Sequence, residues 1–332
     1  MARAWKLAPT LLAVVVLGLV ARQAVRLDWG AVTQALSALP WSVLAGAAVL
    51  AAAGHAAFAG FDVLARAVVR HRAGWLRSAW IGATSYAMNL NLGALIGGVA
   101  MRLDLYRRAG VAPAQAAQVV GFGMVANWCG WALLAAAVVQ WAQPLPWPPT
   151  WALPGNALRQ GLTAALLVVP TLVLLLCGLR QRLPAAAGPL PQALAPWPLA
   201  LAGMALAVVS WALAATTLWW LLQGGLPWWS VAGALLLAAV AGAATHVPGG
   251  LGVLEAVVLA TLSGTAAPGT LLAALLAYRA VYYGLPLLWA TGSYAGLLVQ
   301  RGHSGSRLGT GGSERMGLAH AVQRAAARQG AT

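Results

Sequence analysis

Long apolar segments separated by short polar loops account for most of the chain. A membrane-spanning helix needs about 20 consecutive, mostly apolar residues. The segments that meet this requirement are residues 7–25, 40–65, 113–140, 157–178, 197–223 and 271–299. Two further apolar segments, 78–100 and 230–263, contain glycines and polar residues near their centres. The pattern predicts an all-α protein, a polytopic transmembrane helical bundle with about six full spans.

The composition agrees with a membrane protein and helps to explain why the chain is strongly basic. Of the 332 residues, 61% are hydrophobic and 8% are charged, whereas a soluble domain carries about 25% charged residues. Lys and Arg number 20, against 5 for Asp and Glu. Because the arginines flank the apolar segments, we expect them to contact anionic lipid headgroups and the cytoplasmic face, and not nucleic acid.

The sequence offers little machinery for metal or covalent chemistry. Both cysteines, Cys129 and Cys177, lie inside apolar segments, so a Cys-x-x-Cys metal motif and a disulfide framework are absent. The HExxH, GxSxG and Walker motifs are absent as well. We therefore expect no cofactor and no metal and assign no catalytic residue, although an enzymatic role is left open.

Loop charges predict the orientation. Basic loops, which should be cytoplasmic, lie at 66–77, 100–110, 179–183 and from 301 onwards. Uncharged loops, which should be outside, lie at 141–155, 224–229 and 264–270. We interpret the first apolar segment as an uncleaved signal-anchor, with both termini cytoplasmic. Arg22 and Arg26 fit this topology poorly, because they fall at the outer end of the first span.

This orientation gives the two interrupted segments an unusual course. Segment 78–100 has cytoplasmic loops at both ends and segment 230–263 has outside loops at both ends, so each should enter the membrane and return. Two opposed re-entrant hairpins imply an inverted repeat, the arrangement of many transporters. In the alternative, 230–263 forms two short full spans with a cytoplasmic turn at 248–252.

The centre of the second interrupted segment is the first candidate site. A carboxylate and several glycines are rare at membrane depth, where irregular backbone must be shielded by protein or water. If a helix begins after the glycines, its free N–H groups favour an anion there. The carboxylate then either offsets the helix dipole or takes part in binding a headgroup or a proton. The candidate residues are Pro248, Gly249, Gly250, Gly252 and Glu255.

The last span carries a second candidate group. Arg279 lies inside this span, and Tyr282 and Tyr283 follow on the same helix face. A buried arginine needs an anionic partner, and Glu255 is the nearest acid in sequence. The pair is either structural or a phosphate-binding site, to which the planar guanidinium is suited.

The first interrupted segment carries Asn89 and Asn91, followed by glycines. These residues either serve helix packing or form a counterpart of the second hairpin tip. Arg102 most simply marks the cytoplasmic side, and binding of anionic lipid is the functional alternative. Asp62 and His55 are polar residues within a span for which no partner is evident.

Three motifs resemble those of the lysylphosphatidylglycerol synthase transmembrane-region family. They are Pro248–Ala256, Asn89–Gly98 with the arginines that follow, and Tyr278-Arg279 with Tyr282 and Pro286. The resemblance covers about residues 5–300. Many members carry an acid where this chain has Val99, and no soluble aminoacyltransferase domain is recognised, so lysyl transfer is not implied. The resemblance implies lipid handling in the bacterial inner membrane.

From these observations we expect transbilayer movement of a phospholipid or a lipid-linked headgroup, in the manner of a flippase or scramblase. The alternatives are a membrane-embedded enzyme or accessory factor in lipid or glycolipid modification, and a structural scaffold. The expected partners are membrane lipids with anionic headgroups, together with a second copy of the chain or a soluble lipid-modifying protein. We expect a transmembrane domain at 1–300 and a basic, disordered cytoplasmic tail at 301–332.

Overall fold

The computed structural model describes residues 29–142, 156–180 and 194–296. The predicted first span at 7–25 and the tail at 301–332 lie outside the described residues, as do most of the loops at 141–155 and 179–183. Described residues up to Leu287 belong to one compact unit, and those from Leu288 onwards belong to a second. The predicted domain boundary at 300 stays a prediction.

Helices and turns make up the described ranges, and no β-strand occurs in them. In chain order the helices are α1 (Trp29–Ser37), α2 (Trp41–Val69), α3 (Trp75–Leu92), α4 (Met101–Arg108), α5 (Pro113–Trp141), α6 (Asn156–Leu179), α7 (Trp197–Leu221), α8 (Trp228–Thr245), α9 (Val253–Leu262) and α10 (Pro268–Gly296). Two wide π-helical segments accompany them: Ala94–Ala100 precedes α4, and Arg279–Gly284 lies within α10.

Among the described helices, 6 are long and apolar enough to cross a membrane. They are α2, α5, α6, α7, α8 and α10. The predicted all-α polytopic bundle is therefore confirmed. Helices α2, α5, α6, α7 and α10 correspond to predicted full spans, whereas α8 is the first arm of the segment predicted to be re-entrant.

Prolines set the beginnings of several helices. Pro113 and Pro268 occupy the first helical position of α5 and α10, and the residue before each is extended. Proline is favoured there because the amide at that position has no partner within the helix and the fixed φ already suits it. The same physics places Pro40 and Pro227 immediately before α2 and α8.

The bundle is held together where small residues let helices approach closely. Helix α2 packs against α7 and α3, and α5 packs against α7 and α6. At the crossing of α5 and α7, a Cβ added to Gly130 would lie 2.1 Å from the Cβ of Ala207. Without a hydrophobic driving force between helices in lipid, such close contacts supply much of the association energy.

Each interrupted segment folds into a helical hairpin. Helix α3 ends at Gly93, where φ is 86° and ψ is 166°, and the chain turns back through Ala94–Ala100. Gly97 then packs so closely on α3 that a Cβ would lie 2.1 Å from the carbonyl oxygen of Met88. In the second hairpin, α8 and α9 pack against each other on either side of the Pro248–Gly250 turn.

The length of helix α9 tests the alternative in which segment 230–263 forms two short full spans. Its 10 residues extend about 15 Å, half the roughly 30 Å of a hydrocarbon core. The length of α9 therefore argues against a full crossing by the second arm. The re-entrant course of both hairpins, and the inverted repeat, stay predictions.

Gly130→Ala tests the close crossing of α5 and α7. The added methyl group overlaps Ala207, so we expect the substitution to destabilise the protein by about 1–3 kcal/mol. Gly121, in the same helix, has no atom within 4 Å of the position that an added methyl group would take, and Gly121→Ala should be neutral or stabilising by up to about 1 kcal/mol. Melting of the detergent-solubilised protein, followed by tryptophan fluorescence, measures both. Equal melting temperatures for the two variants would contradict the packing argument.

Candidate functional site

The Arg279 guanidinium holds the centre of the second hairpin. Its Nε donates to Oε1 of Glu255 over 2.8 Å, and its Nη2 donates to Oε2 over 3.1 Å. Two bonds between one guanidinium and one carboxylate fix both the distance and the plane of the pair. Both side chains are mostly buried, with 13% of Arg279 and 17% of Glu255 exposed.

The same guanidinium also binds the glycine turn. Its Nη2 donates to the carbonyl oxygen of Gly250 over 2.7 Å, and its Nη1 donates to the carbonyl oxygen of Gly249. The cation lies 4.5 Å from the centre of the Tyr283 ring. Arg279 therefore connects α10 to the turn and to the first turn of α9 at once, which satisfies backbone carbonyls that have no partner within a helix.

The turn needs glycine because its backbone is left-handed at three positions. The φ angles of Gly249, Gly250 and Gly252 are 66°, 55° and 77°, values that disfavour residues with a Cβ. Gly252 immediately precedes α9, which places Glu255 in the first turn of that helix. A carboxylate there is stabilised by the partial positive charge of the helix N-terminus.

The turn also contacts the tip of the first hairpin. A Cβ on Gly249 would lie 3.3 Å from the carbonyl oxygen of Asn91 and 3.4 Å from that of Leu90. The Asn91 amide donates to the carbonyl oxygen of Tyr283 over 3.3 Å. The two polar motifs identified in the sequence are thus neighbours, although more than 150 residues separate them along the chain.

Not every candidate residue lies at this junction. Asn89 packs against Gly98 within the first hairpin. Pro248, in contrast, begins the short turn at the junction that Arg279 binds. Tyr282 points elsewhere: it is buried, with its hydroxyl 3.2 Å from the hydroxyl of Tyr86. The substrate-path role assigned to these residues stays a prediction.

Large apolar side chains lie exposed beside the junction. Leu95 is 79% exposed and Ile96 is 65% exposed, both just after the turn of the first hairpin, and Leu251 in the second turn is 59% exposed. The hairpin tips therefore combine a partly accessible ion pair with accessible apolar surface.

An aromatic cluster lies next to the junction. The His55 ring lies 4.8 Å from the ring of Tyr86 and 4.9 Å from that of Tyr282, and Phe58 stacks on Tyr86 at 3.7 Å. The Nε2 atom of His55 is buried without a hydrogen-bond partner. His55, which had no evident partner in the sequence, thus belongs to a packed cluster formed by α2, α3 and α10.

Arg102 belongs to a second ion pair, which sequence reasoning missed. Its Nη2 lies 3.3 Å from Oδ2 of Asp62, and 7% and 1% of the two side chains are exposed. The Tyr106 hydroxyl donates to Oδ1 of the same carboxylate over 2.9 Å. A carboxylate within a span requires a cation, but the sequence did not decide which arginine of the two basic loops at 66–77 and 100–110 supplies it.

The other two arginines bind a different acid. Arg107 and Arg108 both contact Asp104, at 2.5 Å, and these hydrogen bonds hold the pKa of Asp104 below its usual value. This pair lies at the surface of the basic loop. Arg102 is therefore buried in an ion pair, and the cytoplasmic position of this basic loop stays a prediction.

A buried histidine adjoins the second pair. His71, in the loop between α2 and α3, is 4% exposed, and neither ring nitrogen has a hydrogen-bond partner. Its ring meets the Tyr106 ring edge-on, with centroids 5.2 Å apart. Burial and, to a lesser degree, the charge of Arg66 lower the pKa of His71.

In the described ranges, no group of three or more His, Cys, Asp or Glu side chains lies together. The chemistry that the described site does offer is electrostatic. It consists of two ion pairs. The Arg279–Glu255 pair at the hairpin junction is partly exposed, and the Arg102–Asp62 pair is buried.

Known proteins are similar to this chain over most of its length. A family model described as "Lysylphosphatidylglycerol synthase TM region" matches residues 7–290. "Inner membrane protein YbhN" of Escherichia coli is 31% identical over 291 residues, which cover 86% of this chain and 91% of that protein. "Uncharacterized protein slr0712" of Synechocystis is 31% identical over 263 residues, covering 78% and 80% of the two chains.

Removing Arg279 should destabilise the fold strongly. Arg279→Ala leaves Glu255 and two turn carbonyls without their partner, and loss of one partner of a buried pair costs about 3–5 kcal/mol. Glu255→Gln should cost less, because the turn carbonyls keep their donor. Asp104→Asn, which affects the surface pair, is the control and should cost about 0.5 kcal/mol. Denaturant unfolding in detergent ranks the three, and a cost for Arg279→Ala no larger than the control would refute the assigned role.

Acidification should weaken the fold through His71. The lowered pKa keeps the folded imidazole neutral, while the unfolded chain binds a proton below the ordinary value of 6.5. Stability is therefore complete above that pH and falls as the pH drops below it. His71→Gln should reduce the fall in melting temperature between about pH 8 and about pH 5. A fall in melting temperature that is the same in His71→Gln and in the wild type would contradict the assignment.

Proposed function

Because the chain belongs to the lysylphosphatidylglycerol synthase transmembrane-region family, we propose that it is an inner-membrane protein that moves a phospholipid or a lipid-linked headgroup between leaflets. The relative from Escherichia coli is named as an inner membrane protein, which supports the location. The family supports a role that involves lipids. Transport itself is our inference from the junction of the two hairpins.

The observation that carries the proposal is the position of the Arg279–Glu255 pair at that junction. By helix rise, Arg279 lies about 16 Å along α10 from Pro268, and the tip of α3 lies about 26 Å from Trp75. Charged groups so far from the helix ends are costly in a membrane and mark substrate or ion paths. Two hairpins that meet at such a point are typical of transporters built from repeats.

The junction also has the two kinds of surface that a lipid requires. A phospholipid presents an anionic headgroup on apolar chains. The guanidinium of Arg279 matches a phosphate bidentately, as it matches Glu255 in this structure. The exposed Leu95, Ile96 and Leu251 side chains offer apolar surface next to it. An anionic headgroup would therefore compete with Glu255 for Arg279 while the acyl chains follow these apolar side chains.

The wide helical segments support movement at this point. Ala94–Ala100 follows the first hairpin turn, and Arg279–Gly284 contains the arginine itself. Such segments in helices are frequent at functional sites. Arg279 lies inside the second segment and Arg102 follows the first by two residues, so a change in either segment would reposition an arginine.

The remaining expectations become parts of the same proposal. The exposed Arg66, Arg70, Arg72 and Arg77 lie in the predicted basic loop, which we assign to the cytoplasmic side together with both termini. Anionic lipids are the proposed partners. A second copy of the chain or a soluble lipid-modifying protein would be an additional partner.

Reconstituted vesicles test the proposal. Wild-type protein in liposomes with a trace of fluorophore-labelled phosphatidylglycerol should make inner-leaflet label accessible to a membrane-impermeant quencher. Glu255→Gln no longer competes for Arg279, so a bound headgroup should be released more slowly. Exposure should slow about tenfold, which corresponds to about 1.4 kcal/mol of transition-state free energy. Asp104→Asn is the matched carboxylate-to-amide control and should keep the wild-type rate.

The contradicting results are defined in advance. The proposal fails if wild-type protein matches protein-free liposomes for phosphatidylglycerol and for each further phospholipid tried. The site assignment fails if Glu255→Gln, still monodisperse and melting as a folded protein, exposes label at the wild-type rate. Altered lipid species in deletion cells, with unchanged leaflet distribution, would favour the modifying-enzyme or accessory-factor alternative.

A further inference from the structure

Asp62 lies in a setting that a purely structural ion pair does not require. By helix rise it lies about 10 Å from the end of α2 at Val69, and its side chain is 1% exposed. Space for the carboxylate comes from Gly82 of α3, where a Cβ would lie 2.5 Å from Oδ2. The close packing of α2 and α3 therefore leaves room for the Asp62 carboxylate only because position 82 has no side chain.

The two ion pairs differ in how firmly they are held. Glu255 has both oxygens bonded to Arg279, which is anchored further by two carbonyls. Asp62 has one 3.3 Å contact with Arg102, and its Oδ2 atom has no hydrogen bond. The Nε atom of Arg102 is also buried without a partner. Unused hydrogen-bonding capacity on both members of a buried pair is costly, so this pair is the weaker one.

A line of contacts joins Asp62 to the loop between α2 and α3. Tyr106 bonds Asp62 through its hydroxyl and meets His71 through its ring. His71 has two unpartnered buried nitrogens and is flanked in the chain by the exposed Arg70 and Arg72. A titratable side chain with free hydrogen-bonding capacity thus lies between the loop surface and the buried phenol.

The charged surroundings of this cluster are few. The Asp62 carboxylate interacts with the charge of Arg102 and with the hydroxyl of Tyr106. From α3, Ser78 acts on Tyr106, and α5 presents Gly123 to the Arg102 guanidinium. Arg66 of α2 acts on His71. Among these described groups Asp62 is the acid and Arg102 is its cation, so one proton removes the charge that holds Arg102 in place.

We propose that Asp62 is a proton-binding site supplied from the α2–α3 loop, and that its protonation releases Arg102 from α2. One proton from water converts the carboxylate to a neutral carboxylic acid, and no other reactant is needed. A neutral acid no longer attracts the guanidinium, and an unpaired buried cation is expensive. Arg102 therefore moves toward water or an anion, and α4, with the Ala94–Ala100 segment before it, moves as well. The proposal does not depend on lipid transport.

Infrared difference spectroscopy tests the proton site directly. The chain has only 5 Asp and Glu residues, so the C=O stretch of a protonated carboxyl group can be assigned by substitution. Other acids that protonate as the pH falls contribute C=O bands to both proteins. Wild-type protein in nanodiscs should gain a further component before it unfolds, and Asp62→Asn should lose that component. Glu255→Gln is the matched control, a carboxylate-to-amide change in the other ion pair, and should keep it.

A second variant keeps the test decisive if Asp62→Asn does not fold. Tyr106→Phe removes the hydroxyl that donates to the carboxylate and retains the ring. The band should persist, and its midpoint should move to higher pH by about one unit, because a hydrogen bond to the charged form is lost. An unchanged midpoint overturns the proposal. It is overturned as well if the band gain is identical in wild type and Asp62→Asn, or if the Asp62 component appears only on unfolding.

The release of Arg102 has its own readout. Leu95 is 79% exposed, whereas Cys129 and Cys177 are buried, so an environment-sensitive fluorophore on Leu95→Cys reports on the hairpin. Its emission should change with the midpoint of the carboxyl band, and the change should be absent when Asp62→Asn is added. Emission that is independent of pH, or a pH response retained in the double variant, overturns the coupling of the proton to the hairpin.

Discussion

The Arg279 guanidinium is the group on which the structure of the second hairpin turn depends. The turn at Gly249–Gly252 contains carbonyls that no helix satisfies, and an unsatisfied buried group costs several kcal/mol. Arg279 supplies donors for two of those carbonyls and for Glu255 together. Glu255 in turn neutralises the cation. The glycine turn, Glu255 and Arg279 therefore stabilise one another. The contact between the two hairpin tips depends on the turn that they hold.

Much of the architecture was predictable because membrane spans are long and their chemistry is simple. Apolar length alone gave α2, α5, α6, α7 and α10 to within a few residues at most ends. The association of Glu255 with Arg279 was also predictable, because a buried arginine needs an acid and few acids exist. The glycine turn was visible because its residue types are those that left-handed backbone requires.

The second ion pair was not predictable for a physical reason. Asp62 and Arg102 lie 40 residues apart on different helices, and three arginines follow the first hairpin within a few residues. Which of them faces α2 depends on the turn at Gly93 and on the Ala94–Ala100 segment, whose wide helical turns shift the angular position of everything after them. Residue types indicate that a partner must exist, whereas the path of the backbone selects it.

That segment has a consequence for how the hairpin could change shape. A wide turn holds one residue more than a regular α-turn, and each residue of an α-helix accounts for about 100° of rotation. Rewinding Ala94–Ala100 by a single residue would thus swivel α4 about its own axis by roughly that angle, with little change in length. The Arg102 side chain would then point to a different side of α4, while Gly93 stays in place.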